Sequence, residues 1–295
     1  MSPMLNEGTC NLCDQPESHG PSSESADVRS NVRRFQDERF TVWRCGSCRS
    51  IHARDEVDLA HYYAHYPFHH QKFNWITRIV YGNFRVRLGR AGLQPQHRIL
   101  DYGCGSGLLV EYLKSVGFAN TVGFDAYSRD FNTPELLDQQ YDCLIAQDLV
   151  EHVLDPRGLL RTFDRMVRPG GMLLIGTPNA EAMDLSRTED FIHCLHQPYH
   201  THIFSKTALV QAGTDVGWSL ERMYLTQYTN TRLPCLNMNF GLHYAKCFDN
   251  NMDLAFHPPG VNLKLLLSPW TPFLALFGYF RAPETDITAI FRKPS

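Results

Sequence analysis

The middle of the chain, between residues 98 and 180, alternates short apolar runs with amphipathic segments. Short apolar runs bounded by glycine, proline or aspartate are typical of buried strands, and apolar residues spaced three and four apart are typical of helices. The pattern predicts strands at residues 98–101, 121–125, 141–147 and 172–177, and helices over residues 108–115 and 157–167. Strands that alternate with helices predict an α/β fold with a Rossmann-like, doubly wound sheet.

The C-terminal third continues this alternation around a long insertion. Ser205 is a predicted N-cap of a helix over residues 206–213, and strands are predicted at residues 218–226 and 285–292. Between them, residues 229–283 form an insertion with an apolar stretch from Leu263 to Phe280. The insertion could be a lid over an apolar substrate pocket, a peripheral membrane contact, a dimer contact or part of the core.

Composition narrows the class of protein. With 43% hydrophobic and 20% charged residues, the chain has an ordinary globular composition. A formal charge of −3 without a Lys/Arg-rich run argues against a nucleic-acid binder that neutralises phosphates. The polar N-terminus lacks a signal-peptide core, and no apolar run predicts a transmembrane segment. We therefore expect a cytoplasmic protein whose nine cysteines bind metal or remain free thiols.

Four of the cysteines form two Cys-x-x-Cys pairs, Cys10 with Cys13 and Cys45 with Cys48. Two such turns can complete a tetrahedral zinc site, and four thiolates leave it closed, so its role would be structural. Gly46 would permit left-handed backbone in the second turn. The polar stretch at residues 18–30 predicts a loop, and residues 35–43 predict a strand leading into the second pair. Unrelated buried cysteines or a redox pair are the alternatives to a zinc-ribbon-like module over residues 1–58.

Residues 59–97 are predicted to be a connector and helix. The connector contains a run rich in histidine and aromatic residues from His61 to His70. Such a run could cover an active site or bind metal, and the interpretation we favour is a packed connector.

A glycine-rich turn follows the first predicted strand of the central region. Asp101 ends the strand, and Gly103, Gly105 and Gly107 follow at alternate positions, where they let the backbone approach a ligand closely. Asp125 ends the next strand, and its carboxylate can accept hydrogen bonds from both ribose hydroxyls of a nucleoside. The sequence therefore predicts a nucleoside-containing cofactor at this edge of the sheet.

The Asp-x-Gly-x-Gly-x-Gly turn resembles the first motif of class I methyltransferases that depend on S-adenosylmethionine (SAM). The later phrases at residues 150–156 and 167–179 are similar to small-molecule methyltransferases, including ubiquinone-biosynthesis O-methyltransferases and sugar methyltransferases. The resemblance implies a methyltransferase domain over residues 98–295 and a set of SAM-binding residues. Asp101 would orient the methionine end of SAM, and the three glycines would line its carboxypropyl and ribose region. Asp125 would hold the ribose hydroxyls, and Gln147 would lie near the sulfonium.

One segment departs from that family. Residues 126–140 replace the usual further helix, strand and adenine-contacting loop. The adenine pocket is therefore predicted to be short, with Tyr127 or Phe131 as a stacking wall.

Two groups of residues are candidates for the chemistry. Asp148, Glu151 and His152 would share one face if they began a helix, and carboxylates with imidazole are plausible ligands of a second, catalytic divalent metal. The resemblance implies such a metal in the ubiquinone enzymes, whereas a structural Glu151–His152 pair is the interpretation we favour. His200 and His202, with His152, are candidate general bases, and simple loop histidines are the alternative.

The sequence thus predicts SAM-dependent methyl transfer to a small-molecule acceptor, most readily to an oxygen. C- or N-methylation of a sugar or other metabolite, and a non-methylating metal- or SAM-binding enzyme on the same fold, are the alternatives. The oligomeric state and the acceptor are not predicted, because acceptor specificity depends on loops.

Overall fold

The structure is a computed structural model, and it describes residues 9–15, 24–65, 73–256 and 260–295. Part of the predicted loop at residues 18–30, the end of the histidine-rich run (residues 66–70) and residues 257–259 lie outside the described residues.

The described chain contains ten strands and nine α-helices. The strands are β1 (Ser25–Arg29), β2 (Arg39–Arg44), β3 (Ile51–Ala53), β4 (Ile99–Tyr102), β5 (Thr121–Phe124), β6 (Tyr141–Gln147), β7 (Val167–Pro178), β8 (His202–Ile203), β9 (Ser219–Tyr224) and β10 (Asp286–Arg292). The helices are α1 (Leu59–Tyr63), α2 (Trp75–Arg90), α3 (Leu108–Ser115), α4 (Pro156–Met166), α5 (Ile192–Leu195), α6 (Lys206–Asp215), α7 (Met238–Cys247), α8 (Leu263–Leu267) and α9 (Trp270–Phe277).

Six strands form the main sheet in the order β5-β4-β6-β7-β10-β9. The first four are parallel, and β10 runs antiparallel between β7 and β9. Side chains of β6 alternate between two cores, because Leu144 packs with α4 and α6 while Cys143 and Ile145 pack with α2 and α3. Helices therefore cover both faces, which confirms the predicted doubly wound sheet.

Local sequence signals account for the ends of several helices. Asp155 caps α4 by accepting from the Gly158 amide, and Pro156 occupies the first helical position, where no amide is needed. Ser205 caps α6 by accepting from the Ala208 amide, which confirms the prediction for that residue. The predicted bounds of α3 and β6 are also confirmed.

The N-terminal strands form a second, antiparallel sheet in the order β1-β2-β3-β8. The prediction of one strand over residues 35–43 is wrong at its start, because residues Arg33–Phe35 form a 3₁₀ turn that buries Phe35 and β2 begins at Arg39. The last strand of this sheet, β8, comes from the C-terminal half of the chain. Trp43 and Cys45 also pack in the same core as Leu100 and Phe163, so the N-terminal segment and the main sheet share a core.

The insertion at residues 229–283 contains α7, α8 and α9. Asn237 caps α7 and also donates from Nδ2 to the Leu274 carbonyl of α9 at 2.9 Å. None of the described helices is both long and apolar enough to cross a bilayer.

Candidate functional site

The glycine-rich turn lies between β4 and α3, and its conformation depends on glycine. Gly103, Gly105 and Gly107 have φ angles of +82°, +53° and +77°, in the left-handed region that other residues rarely adopt. The Gly105 amide donates to Oδ2 of Asp125 at 2.9 Å. Oδ1 of Asp125 accepts from the amides of Tyr127 and Ser128 at 2.8 and 3.0 Å. Asp125 therefore joins the turn to the segment that follows β5.

The short segment after β5 packs onto this turn. A Cβ atom added to Gly107 would lie 2.2 Å from the Phe131 ring, so only glycine fits beneath that ring. Tyr127 is exposed, and its ring stacks on Tyr63 of α1 with a centroid distance of 6.0 Å. The two candidate stacking residues thus differ, because Phe131 supports the turn and Tyr127 faces the connector.

Asp101 and Gln147 lie at the carboxyl ends of β4 and β6. Burial and the nearby Asp125 carboxylate raise the pKa of Asp101 to about 7. Oε1 of Gln147 is buried without a protein partner in the described structure. A Cβ on Gly176 would lie 1.9 Å from that oxygen, so Gly176 makes room for the Gln147 side chain.

Asp148, Glu151 and His152 do not share a helical face, so that part of the prediction is wrong. Asp148 has a φ of +51°, and only residues Val150–His152 form a 3₁₀ turn. Asp148 accepts from Nε2 of Gln147 at 2.9 Å. Its side chain is exposed, and desolvation by the surrounding protein raises its pKa to about 6. Glu151, His152 and His200 each offer one possible metal-ligating atom, and these three atoms lie within 4.8 Å of one another.

Glu151 is almost fully buried in this Glu151–His152–His200 group. Its Oε2 accepts from Oγ1 of Thr177 at 3.0 Å, and its Oε1 has no protein partner in the described structure. Burial, together with the Asp148 carboxylate, raises the pKa of Glu151 well above its ordinary value. An unpaired buried carboxylate oxygen is costly, so this position suits a cation or a donor group.

The two histidines of the group are held by backbone carbonyls. Nδ1 of His152 lies 3.0 Å from the Tyr199 carbonyl, and Nδ1 of His200 lies 2.8 Å from the Cys194 carbonyl. Since a carbonyl only accepts, each Nδ1 carries the proton and each Nε2 keeps its lone pair. Burial lowers the pKa of His152 to about 4 and that of His200 well below its ordinary value, so both rings are neutral at pH 7.

His202, the third candidate base, is not one of the three residues whose ligand atoms meet. It belongs to β8 and pairs with His52 of β3, and burial lowers its pKa to about 3. Its Nε2 atom is buried without a protein partner in the described structure. The structure therefore brings together two of the three predicted bases, His152 and His200.

Sequence reasoning missed several residues of this neighbourhood. Tyr63 Oη lies 3.0 Å from Nδ1 of His152, which brings the histidine-rich connector to the Glu151–His152–His200 group. His196 stacks on Tyr199 and contacts His200 at a centroid distance of 5.1 Å. The clustering of histidines at residues 193–202 was the available signal, whereas Thr177 gave none.

The four predicted metal-ligand cysteines do come together, with sulfur atoms within 4.8 Å of one another. The two Cys-x-x-Cys turns are alike, because in each the residue after the second cysteine donates its amide to the carbonyl of the first cysteine. The Asp14 amide lies 2.9 Å from the Cys10 carbonyl, and the Arg49 amide lies 3.0 Å from the Cys45 carbonyl. The residues with left-handed backbone are Asp14 and Arg49, with φ angles of +57° and +63°. The expectation of left-handed backbone at Gly46 is therefore wrong, because the left-handed position of each turn follows the second cysteine.

The pKa values of Cys10 and Cys48 depend on each other. A hydrogen bond from Cys10 lowers the pKa of Cys48 to about 3, and the same interaction raises that of Cys10. Nε2 of His52 also lies 3.3 Å from the Cys10 sulfur. Four clustered thiols, one of them readily ionised, are a donor set that fits a thiolate-bound metal.

Several known proteins are similar in sequence to part of this chain. Ubiquinone biosynthesis O-methyltransferase of Ruegeria pomeroyi is 31% identical over 160 residues, covering 46% of this chain and 63% of the relative. The protein of the same name from Sinorhizobium medicae is 32% identical over 171 residues, covering 48% of this chain and 66% of the relative. The chain thus spans just under two thirds of the length of these curated relatives.

Solved structures and a family model complete the comparison. A SAM-dependent methyltransferase from Mesorhizobium loti is 16% identical, covers 72% of this chain and 100% of its own, and gives a TM-score of 0.42. A family model described as a methyltransferase domain matches residues 59–222, which is more than half of the chain. The glycine-rich turn, Asp125 and the four parallel strands of the main sheet lie inside that match, and the chain belongs to the family of class I SAM-dependent methyltransferase domains.

Proposed function

We propose that this protein transfers the methyl group of SAM to an oxygen of a small-molecule acceptor. The observation that carries the proposal is the left-handed glycine turn, which the Gly105–Asp125 hydrogen bond joins to the end of β5. Family membership and the similarity to O-methyltransferases support the same reaction. SAM already carries a reactive methyl group, so the protein's task is mainly to position the acceptor.

The residues at this edge of the sheet suit each part of SAM. Asp101 would face the methionine ammonium, because a buried carboxylate is stabilised by a cation. Gly103, Gly105 and Gly107 would let the turn approach the ligand. Beyond its three amide contacts Asp125 retains about one lone-pair site, on Oδ2, which would accept from a ribose hydroxyl. The unpartnered Oε1 of Gln147 would lie near the sulfonium.

The Glu151–His152–His200 group would act on the acceptor oxygen. A histidine with a pKa of about 4 is a weak base at neutral pH, but its unprotonated nitrogen is a good metal ligand. We therefore favour a second, divalent metal held by Glu151, His152 and His200 over a histidine acting alone as general base. When bound, such a metal lowers the pKa of an acceptor hydroxyl. His202 lies in the N-terminal sheet and is better suited to packing.

The four-cysteine cluster would hold a structural zinc ion. All four ligand positions would be filled by Cys10, Cys13, Cys45 and Cys48, which leaves none open for chemistry.

Binding of SAM is the first test. We expect micromolar binding of SAM and S-adenosylhomocysteine by calorimetry to the zinc-replete protein, and a loss of at least tenfold in Asp125→Ala. Asp130→Ala is the matched control, because that exposed acid lies on the same segment. Equal binding by both variants, or no binding by the wild type, would contradict the proposed SAM site.

The methylated atom is the second test. The protein would be incubated with SAM carrying a ¹³C-methyl group and with phenols, sugars and amines, and carbon chemical shifts would identify the new bond. O-methyl products are expected, and their formation should fall at least tenfold in His200→Ala. Activity that survives rigorous removal of divalent ions would rule out the second metal, and only N- or C-methyl products would overturn the choice of oxygen.

A further inference from the structure

The segment from Val261 to Phe280 exposes an unusual number of large apolar side chains. Nine of the fifteen exposed large hydrophobic residues of the described structure lie in it: Val261, Leu263, Leu266, Leu267, Trp270, Phe273, Leu276, Phe277 and Phe280. We call this set the apolar face. Leu267 and Phe280 are 78% and 76% exposed, and no residue of α9 is buried. A contiguous apolar patch of this kind marks an interaction surface on a folded protein.

The apolar face is held in place from behind, so its exposure does not come from fraying. Asn237 donates from Nδ2 to the carbonyls of Leu274 and Ala275 at 2.9 and 3.2 Å. Asn239 donates to the Gly278 carbonyl at 2.8 Å, and Thr271 Oγ1 to the Leu265 carbonyl at 2.6 Å. These contacts tie the segment to α7 and to itself, while the side chains of the apolar face are exposed in the described structure.

Charge distinguishes this segment from the rest of the chain. The chain has a formal charge of −3, yet residues 254–283 contain no aspartate or glutamate. Lys264 and Arg281 lie at its two ends and are exposed, and the exposed Arg232 lies over the Tyr279 ring at 5.3 Å. Lys264 is partly offset by Asp249 at 2.9 Å. Cations therefore border the apolar face.

We propose that the apolar face docks onto the surface of an anionic lipid bilayer. Short helices with exposed leucine, phenylalanine and tryptophan lie in the plane of the interface, and basic residues beside them attract acidic headgroups. A second copy of the chain fits less well, because a two-fold contact would oppose the cationic borders without an acid from this segment to pair them. The proposal is independent of the methyl acceptor and of the SAM site.

Vesicle flotation tests the proposal on the full-length, zinc-replete protein. We expect it to float with vesicles of phosphatidylcholine and phosphatidylglycerol at 3:1, and to stay at the bottom with phosphatidylcholine alone. Leu267→Glu/Phe280→Glu should lower the floated fraction at least tenfold. Trp75→Glu/Leu154→Glu adds the same charge at exposed apolar residues elsewhere and should float like the wild type. Arg232→Gln/Arg281→Gln should weaken vesicle binding about thirtyfold, since each of the two cations near the surface contributes about 1 kcal/mol.

Folding of each variant is checked by its unfolding midpoint and by SAM calorimetry, so a misfolded variant is recognised as such. Equal flotation of the wild type and Leu267→Glu/Phe280→Glu would overturn the proposal. So would flotation that does not depend on phosphatidylglycerol. A wild-type dimer in light scattering that becomes a monomer in Leu267→Glu/Phe280→Glu, without flotation of either, would instead assign the apolar face to self-association.

Discussion

At the scale of single residues, Asp101 is a buried carboxyl whose proton affinity is set by the fold. Its pKa is raised from 3.8 to about 7 by burial and by Asp125, so the folded state binds this proton more tightly than the unfolded chain. The contribution of Asp101 to the folding stability of the free protein therefore falls as the pH rises from about 4 to about 7. A cationic ligand beside Asp101 would stabilise the ionised carboxylate and so offset this loss of stability.

The raised pKa predicts how SAM binding depends on pH. We expect the affinity for SAM to fall below pH 7 by up to about tenfold per pH unit, because the ammonium group favours the ionised carboxyl and binding must expel its proton. Calorimetry near pH 7 in two buffers of different ionisation enthalpy would measure that proton release. Asp101→Asn should bind more weakly and remove this part of the pH dependence. Wild-type affinity that is constant between pH 6 and 8 would contradict the prediction.

Gly107 provides a second residue-scale prediction. A side chain at residue 107 would be strained by the left-handed backbone, and its Cβ would also clash with the Phe131 ring. Gly117 has a similar φ of +98°, but a Cβ there would have no atom within 4 Å. We expect Gly107→Ala to be destabilising by about 1–3 kcal/mol more than Gly117→Ala, because overpacking adds to the shared backbone strain. Urea unfolding would measure the difference. Phe131→Ala in the Gly107→Ala background should recover part of it, and equal costs for the two glycines would contradict the reported packing.

At the scale of elements, α1 brings the histidine-rich connector to the carboxyl edge of the main sheet. Tyr63 at its end stacks on Tyr127 through the ring and contacts His152 through the hydroxyl. We expect Tyr63→Ala to weaken SAM binding by about three- to tenfold, the value of one aromatic stack, and Tyr63→Phe to leave it unchanged. Calorimetry checks both. Wild-type affinity in Tyr63→Ala would show that the Tyr63–Tyr127 stack does not contribute to SAM binding.

Elements with a strong local pattern could be predicted from the sequence, and those formed by distant pairing could not. The bounds of α3 and β6 follow from apolar periodicity and flanking turn residues. In contrast, β8 has two residues and is a strand only because β3 lies beside it. The start of β2 was misplaced because Phe35, which is apolar and buried, belongs to a 3₁₀ turn instead.

The candidate site shows the same limit. The glycine-rich turn and Asp125 are close in sequence and carry their own motif, so their meeting could be predicted. His200 is separated from Glu151 and His152 by about fifty positions of sequence. The fold brings them together, and no local spacing in the sequence predicts that contact. The left-handed Asp148, which breaks the expected helical face, has no sequence signal of its own, since aspartate adopts that conformation only in some contexts.

At the scale of the whole molecule, strand pairing and hydrogen bonds link the four-cysteine cluster to the segment that carries His200. The strand β3 follows the second Cys-x-x-Cys turn directly and pairs with β8, which begins two residues after His200. The Thr201 carbonyl accepts from the Ala53 amide at 3.0 Å, and the Ser205 hydroxyl donates to the Cys48 carbonyl at 2.5 Å. Loosening of the cysteine turns should therefore reach the Glu151–His152–His200 group.

Hydrogen exchange can follow that loosening through the chain. In Cys45→Ser we expect amides of β3 and of residues 196–205 to lose protection together, with exchange at least tenfold faster in both, because the two segments share hydrogen bonds and a core. Cys235→Ser is the matched control, since Cys235 is exposed and lies in the insertion, so its exchange should equal that of the wild type. Loss of protection confined to residues 9–53 would mean that the N-terminal segment opens as an independent unit, and the cysteine cluster would then have no part in positioning His200.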